Sequence, residues 1–175
     1  MASTYEPIQT YTLGSNTGIV TFSSFSGYDD LRLTIQGGHT NNGYLMAMRF
    51  NGATSGYNMQ TLYGTASNSL GGLQYNGFVL ASINNQTPNN SANAYTIDIF
   101  DYANTNVFKT YLARTSPNPT SGSNGHMDMT AGQWASTAAI TSIAISEAGN
   151  GGSGTFNTGS VLSGTTLTLW GIKRA

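Results

Sequence analysis

The chain has 175 residues, no cysteine, six basic and seven acidic residues, so that only 7% of it is charged and the net charge is −1. An average soluble protein is about 25% charged, whereas nearly half of this chain is Gly, Ser, Thr or Asn. This composition excludes a basic surface for nucleic acid, disulfides and thiolate metal sites, and no stretch is apolar enough to cross a bilayer.

Short apolar runs alternate with Gly/Asn/Ser clusters from end to end, which is typical of many short strands. In chain order the predicted strands are 8–13, 18–25, 31–36, 44–50, 57–63, 75–83, 94–101, 107–115, 138–146 and 165–172. Leu31, Leu33 and Ile35 alternate with polar residues, so they are expected to share the buried face of a strand. Tight turns are expected at Gly71-Gly72 and Asn76-Gly77. A helical turn is conceivable only at 130–137.

This pattern predicts an all-β protein, an antiparallel two-sheet sandwich with a jelly-roll-like topology. The expected organisation is a short N-terminal arm, residues 1–7, followed by a single β-sandwich domain, residues 8–175. The first residues contain neither a basic segment nor an apolar segment, so no signal peptide is predicted and synthesis in the host cytoplasm is expected. Lys173 and Arg174 are expected to be a solvated terminus.

Nucleophilic catalysis is not indicated by the histidines. His39 and His126 both lie in Gly/Asn-rich segments without metal-ligand spacing. A set of a serine, His126 and Asp128 can be assembled on paper, but no Gly-x-Ser-x-Gly motif is present. Both histidines are therefore predicted to be ordinary loop or interface residues.

Seven carboxylates are candidates for acid–base catalysis or metal binding: Glu6, Asp29, Asp30, Asp98, Asp101, Asp128 and Glu147. Asp98 and Asp101 are three residues apart on one predicted strand and should point to opposite faces, although a glycosidase-like pair from distant strands stays open. Asp29, Asp30, Asp98 and Asp101 could contribute to a calcium site, but no calcium-loop motif is present, and Asp101 is better explained as a cap for the turn 102–105. No phosphate-binding loop precedes a helix. We predict no catalytic residue, no metal site and no cofactor.

The ten tyrosines suit either a core or an interface. Tyr44 and Tyr95 are predicted to lie in the core. For four others, core packing and a surface for sugars or protein partners are equally open: Tyr57, Tyr63, Tyr75 and Tyr102.

Four segments resemble motifs of one protein group when they are taken together and in order. Phe50–Tyr57 followed by Leu62–Gly64 resembles FNGDTGSNY…LYG, and Ile97–Asn106 with Lys109 resembles IDI-DYANTN. Residues 132–143 resemble G-W-STAAITSI, and Gly159-Ser160 with Leu167–Lys173 resembles GS-LTLYGIK. The chain is thereby similar to small virion proteins of tailed phages, many from marine and cyanobacterial hosts. Departures are Trp170 in place of Tyr and a Gly-rich insertion at 149–154.

The resemblance implies a particle component with a jelly-roll-like sandwich that acts in multiple copies and brings no catalytic residues. The expected function is that of a phage virion structural protein, preferably a capsid decoration (cement) protein that stabilises the head shell. The alternative is a tail-fibre or tail-tip module that binds a receptor or carbohydrate. Expected partners are the chain itself, as a homotrimer, and the major capsid protein or tail components. A host-surface glycan is the expected partner in the tail alternative. Nucleic acid and membranes are not expected partners, and the expected location is the virion.

Overall fold

The computed structural model of the chain describes residues 4–40, 45–64, 70–76, 79–80, 93–116, 127–149 and 155–174. Within them the chain forms twelve β-strands: β1 (Thr4–Thr12), β2 (Ile19–Ser23), β3 (Asp30–Gly37), β4 (Leu45–Phe50), β5 (Tyr57–Gly64), β6 (Leu70–Asn76), β7 (Val79–Leu80), β8 (Asn93–Phe100), β9 (Lys109–Ser116), β10 (Met127–Trp134), β11 (Ser142–Ala148) and β12 (Thr166–Lys173). No helix that could span a membrane is found in the described ranges.

The strands form an eight-stranded sheet in the order β1-β12-β3-β8-β9-β10-β5-β6 and a four-stranded sheet in the order β2-β11-β4-β7. All pairs are antiparallel. The first four strands of the large sheet and the four of the small sheet interleave along the chain as the two sheets of a jelly roll do. The remaining strands, β9, β10, β5 and β6, lengthen the large sheet and are called the extension below. The predicted all-β, jelly-roll-like two-sheet sandwich is confirmed.

The core lies between the sheets because alternate residues of each strand are apolar. In β3, Leu31, Leu33 and Ile35 are buried, as predicted. The small sheet contributes Phe22, Met48, Ile143 and Ile145, and the large sheet adds Ile97, Ile99, Leu167 and Leu169. These residues belong to one continuous hydrophobic cluster.

Three aromatic rings fasten the extension to the small sheet. The Trp134 ring of β10 lies 5.9 Å from the Phe50 ring of β4 and 6.2 Å from the Tyr57 ring of β5. The Tyr57 hydroxyl accepts the Phe50 N–H at 2.9 Å. Burial raises the pKa of Tyr57 to about 12, so the phenol remains protonated at neutral pH. The extension is thus an ordered part of the sandwich.

Several local predictions are wrong. Residues 127–134 form strand β10, where a helical turn was conceivable, and Gly71-Gly72 lies inside β6 and not in a turn. The predicted N-terminal arm is not separate from the sandwich, since Thr4–Pro7 belong to β1 and pair with β12. The pairing has a register shift between Pro7 and Gln9. A proline and an irregular register suit an edge strand, which has no outer partner to hydrogen-bond. Tyr44 lies outside the described residues, as does part of the predicted strand 75–83.

Gly132 of β10 gives a direct test of the packing in the extension. A Cβ at this position would lie 2.2 Å from the hydroxyl oxygen of Tyr111, a side chain that is itself buried. We expect Gly132→Ala to lower the free energy of unfolding by about 1–3 kcal/mol, because the ring cannot move aside without disturbing the core. Urea unfolding measures it, with Gly14→Ala as control, since a Cβ at Gly14 meets nothing within 4 Å. Equal stability of the two variants would contradict the packing described.

Candidate functional site

The predicted nucleophilic set is not assembled in the described residues. His39 is buried near the end of the sandwich at which β3 and β11 finish, here called the upper end. Asp128 is buried in β10, opposite Thr115 of β9 and Tyr63 of β5. His126 lies outside the described residues.

The carboxylate of Asp98 in β8 forms ion pairs with two arginines from the neighbouring strands. The Arg32 Nε donates to one carboxylate oxygen at 2.5 Å, and an Arg114 terminal nitrogen donates to the other at 2.8 Å. The hydrogen bond to Asp98 raises the pKa of Arg32. All three side chains lie in the outer face of the large sheet, where each guanidinium group forms a charge-assisted hydrogen bond with the carboxylate. Asp98 is therefore a cross-strand clamp.

The acidic residues at the opposite, lower end surround Arg174. Its guanidinium donates to both oxygens of Asp30, at 2.9 and 2.5 Å, and to Asp101 at 3.0 Å, and its backbone N–H donates to Asp29 at 2.7 Å. Hydrogen bonding to Asp30 raises the pKa of Arg174. Arg174 is exposed, as predicted, with 52% of its side chain accessible, and it is also held by these ion pairs.

The four carboxylates considered for calcium are therefore divided between two places. Asp98 lies in the clamp, and the other three contact Arg174. The described residues contain no group of three or more His, Cys, Asp or Glu that could hold a metal ion. The predicted turn cap is also wrong, because the Asn104 N–H binds the backbone carbonyl of Asp101, whose carboxylate binds Arg174.

A buried polar cluster closes the upper end of the core. Glu147 of β11 is fully buried, and one of its oxygens accepts the Thr40 backbone N–H at 2.9 Å and the Thr40 hydroxyl at 2.8 Å. The same oxygen lies 3.7 Å from Nδ1 of His39. The Thr40 hydroxyl oxygen accepts the N–H of Ser160 at 3.0 Å. Glu147 thus ties together the segments that follow β3 and precede β12.

A second buried charge organises the lower end. Lys109 has no exposed surface, and its Nζ donates to the backbone carbonyls of Asn104, Val107 (2.8 Å) and Thr137 (3.2 Å). Two of these carbonyls belong to the turn between β8 and β9, and the third to the segment after β10. The ammonium group therefore fixes the turn against the extension.

The outer face of the extension carries an open groove. It has a volume of about 510 Å³ and is lined by residues that include Leu62, Thr96, Arg114, Ser116, Met127 and Met129. Arg114, Met129 and Leu62 are direct cross-strand neighbours in β9, β10 and β5. Leu62 and Met127 are each 71% exposed, and Met129 is 48% exposed. Large apolar side chains that lie together on a solvent-facing sheet make this groove a candidate binding surface.

The tyrosine predictions divide between core and surface. Tyr95 is buried, as predicted, and Tyr57 and Tyr102 also belong to the core. Tyr63 is half-buried and lines the groove. The side chain of Tyr75, like Tyr44, lies outside what is described.

Sequence reasoning missed the burial of Glu147 and Lys109. A signal exists for both, since Glu147 continues the alternation of Ile143 and Ile145, and Lys109 precedes Tyr111 with the same period of two. A charged residue on the buried face of a strand indicates a residue with dedicated partners. The sequence does not identify the groove residues, because Leu62, Met127 and Met129 could equally well be core residues.

Comparison of the sequence with protein-family models gives no match, and comparison with curated proteins and with solved structures gives none either.

Proposed function

We propose that the protein is a non-enzymatic structural subunit of a tailed-phage particle, and specifically a head decoration protein that acts as a homotrimer bound to the major capsid protein. The observation that carries the proposal is the exposed apolar surface of the extension on a molecule with a net charge of only −1. A surface of this kind favours contact with protein subunits, because little charge repulsion opposes the approach of many copies.

The carboxylates support a non-catalytic role. Glu6, Asp29, Asp30, Asp98, Asp101 and Glu147 each contact an arginine, a lysine or a hydrogen-bond donor of the same chain. A general acid or base must instead meet a substrate proton. The charges of this chain serve to hold strands, turns and termini in place.

The motif segments support the same role. Asn51, in the first motif, accepts the N–H groups of Thr141 and Ser142 at 2.8 and 3.1 Å. Lys109 fixes the turn of the second motif, and Trp134 of the third packs on Phe50. These contacts fix the lower end of the sandwich, which supports a structural role for the three motifs to which they belong.

The alternative role is a tail module that binds a host-surface glycan. The groove favours it in one respect, because Thr96, Arg114 and Tyr63 bring hydrogen-bonding groups beside apolar walls. However, Tyr63 is the single aromatic side chain among the described residues of its lining, and the exposed walls are aliphatic. The decoration role therefore fits the surface better.

A phage that carries a deletion of this gene tests the proposal. We expect intact wild-type particles to contain hundreds of copies by quantitative mass spectrometry, and particles without the protein to lose infectivity faster under heat and osmotic shock. The reason is that a subunit that binds only the assembled shell shifts the equilibrium towards it. Adding back purified protein should restore resistance. Normal resistance combined with failure to adsorb, at a few to a few dozen copies, would instead establish the tail role.

A further inference from the structure

The exposed large apolar side chains of the described residues fall mainly into two groups. One group is the groove rim, defined as Leu62, Met127 and Met129. The other is the turn tip, defined as Phe100, Val107 and Phe108, which are 38%, 43% and 49% exposed. The turn tip connects β8 to β9 at the lower end, and the groove rim lies beside the upper ends of the same two strands.

The turn tip is held in one conformation by hydrogen bonds. Lys109 binds the carbonyls of Asn104 and Val107 within the turn, and the Ile140 N–H donates to the Tyr102 carbonyl at 2.8 Å. Asp101 takes a left-handed backbone conformation at φ 48°, and its N–H donates to Asp30 at 2.8 Å. A turn that is already ordered loses little conformational freedom when a partner covers it.

The groove matches the side chains of the turn tip in size and chemistry. Its volume of about 510 Å³ lies in the range of roughly 300–1,000 Å³ that accommodates a drug-sized ligand, and so it can hold the aromatic and aliphatic side chains of the turn. Small side chains such as Thr96 and Ser116 leave the groove open, and aliphatic side chains form its walls. The two surfaces also differ in net charge. Beside the groove, Arg32 and Arg114 share the single carboxylate of Asp98, whereas at the base of the turn three carboxylates contact a single arginine, Arg174.

We propose that the turn tip of one copy of this chain occupies the groove of a second copy. Within one molecule the two surfaces cannot meet, because Phe108 and Arg114 are six residues apart in an extended strand, or about 20 Å. A contact between two different surfaces is heterologous and closes into a ring where the rotation allows it. A ring of three would be the trimer proposed above, but the tip-in-groove contact is argued from the surface alone and does not depend on a role in the virion.

The test uses the purified full-length chain in sedimentation velocity over a wide concentration range. We expect the wild type to associate, and Leu62→Glu in the groove and Phe108→Glu in the tip each to weaken association by roughly tenfold or more, because each places a carboxylate in the apolar contact. Ile19→Glu is the matched control, since Ile19 is a 43% exposed residue on the small sheet. It should associate as the wild type does. Circular dichroism verifies folding, and Met129→Thr replaces Leu62→Glu if that variant is unfolded.

Mixing the two variants gives the decisive result. Leu62→Glu retains an intact tip and Phe108→Glu an intact groove, so an equimolar mixture is expected to form a heterodimer at concentrations at which each variant alone is monomeric. A monomeric wild type at every concentration, unchanged association of Phe108→Glu, or no gain on mixing would each overturn the proposal. These outcomes are independent of copy number and heat resistance in the phage, so the two proposals can fail separately.

Discussion

Replacing Glu147 with leucine is expected to lower the free energy of unfolding by about 2–4 kcal/mol, because it removes an acceptor of two hydrogen bonds inside the fold, and each buried polar group left unpaired costs about 1–3 kcal/mol. The carboxylate is fully buried, and one oxygen accepts both donors of Thr40. Leucine fills a similar volume but removes the acceptor of the Thr40 hydroxyl, whereas the Thr40 N–H keeps the Ser160 carbonyl at 3.0 Å. His39 also loses the oxygen 3.7 Å from its Nδ1.

Urea unfolding at pH 7 measures this loss, and Glu6→Leu is the matched control. Glu6 is also a strand carboxylate, but it is 48% exposed and 3.9 Å from Lys173, so its replacement should change stability by less than about 0.5 kcal/mol. Thr40→Val with Glu147→Leu completes a double-mutant cycle. We expect a coupling of about 1–2 kcal/mol, since Thr40→Val removes the hydroxyl that donates to Glu147 and keeps the backbone N–H. Equal effects of the two glutamate replacements would show that Glu147 is not the tie that its contacts indicate.

The strands that the sequence predicted well are those with one apolar face. In β3 and β12, Leu31, Leu33, Leu167 and Leu169 alternate with polar residues, and the pattern alone identifies both the strand and its buried side. The jelly-roll-like topology follows from many such strands with long connections. Fold class was therefore predictable from local pattern.

In the extension, β5 and β9 were predicted close to their observed bounds, but β10 was missed for a physical reason. The inward side chains of β10 are Asp128, Thr130, Gly132 and Trp134, so its buried face is largely polar or small. Thr130 is nevertheless fully buried, because its hydroxyl bonds that of Thr61 at 2.6 Å. A hydrogen bond between two neighbouring strands replaces apolar contact there, and no sequence window contains both partners.

The same limit applies to the groove and to the ion pairs. Asp98 meets Arg32 and Arg114 across separations of 66 and 16 residues, and Arg174 meets Asp30 across 144. A pattern of local periodicity says where a side chain points but not which distant strand lies beside it. The candidate surface therefore became visible only when the strand order β9-β10-β5 placed Arg114, Met129 and Leu62 side by side.

Replacing Lys109 with methionine is expected to cost about 3–5 kcal/mol of unfolding free energy and to disorder the turn tip as well. Methionine keeps the length and apolar stem of the side chain but donates no hydrogen bond, so the carbonyls of Asn104, Val107 and Thr137 lose the ammonium group that they share. Each buried carbonyl left unpaired costs about 1–3 kcal/mol.

Lys173→Met is the control, because Lys173 lies in β12 with half of its side chain exposed, and its ammonium group makes only weak contacts, with Glu6 at 3.9 Å and with the Tyr28 ring at 5.4 Å. Its replacement should leave stability within about 0.5 kcal/mol of the wild type. Amide hydrogen exchange of residues 101–108 supplies a second measurement, which should accelerate in Lys109→Met and not in Lys173→Met. If the turn tip binds in the groove of a second copy, Lys109→Met should also weaken association under conditions in which the protein remains folded. In this variant binding must first order the turn, which the ammonium group already orders in the wild type. Two lysine variants of equal stability, with equal exchange in the turn, would show that the turn keeps its shape without Lys109.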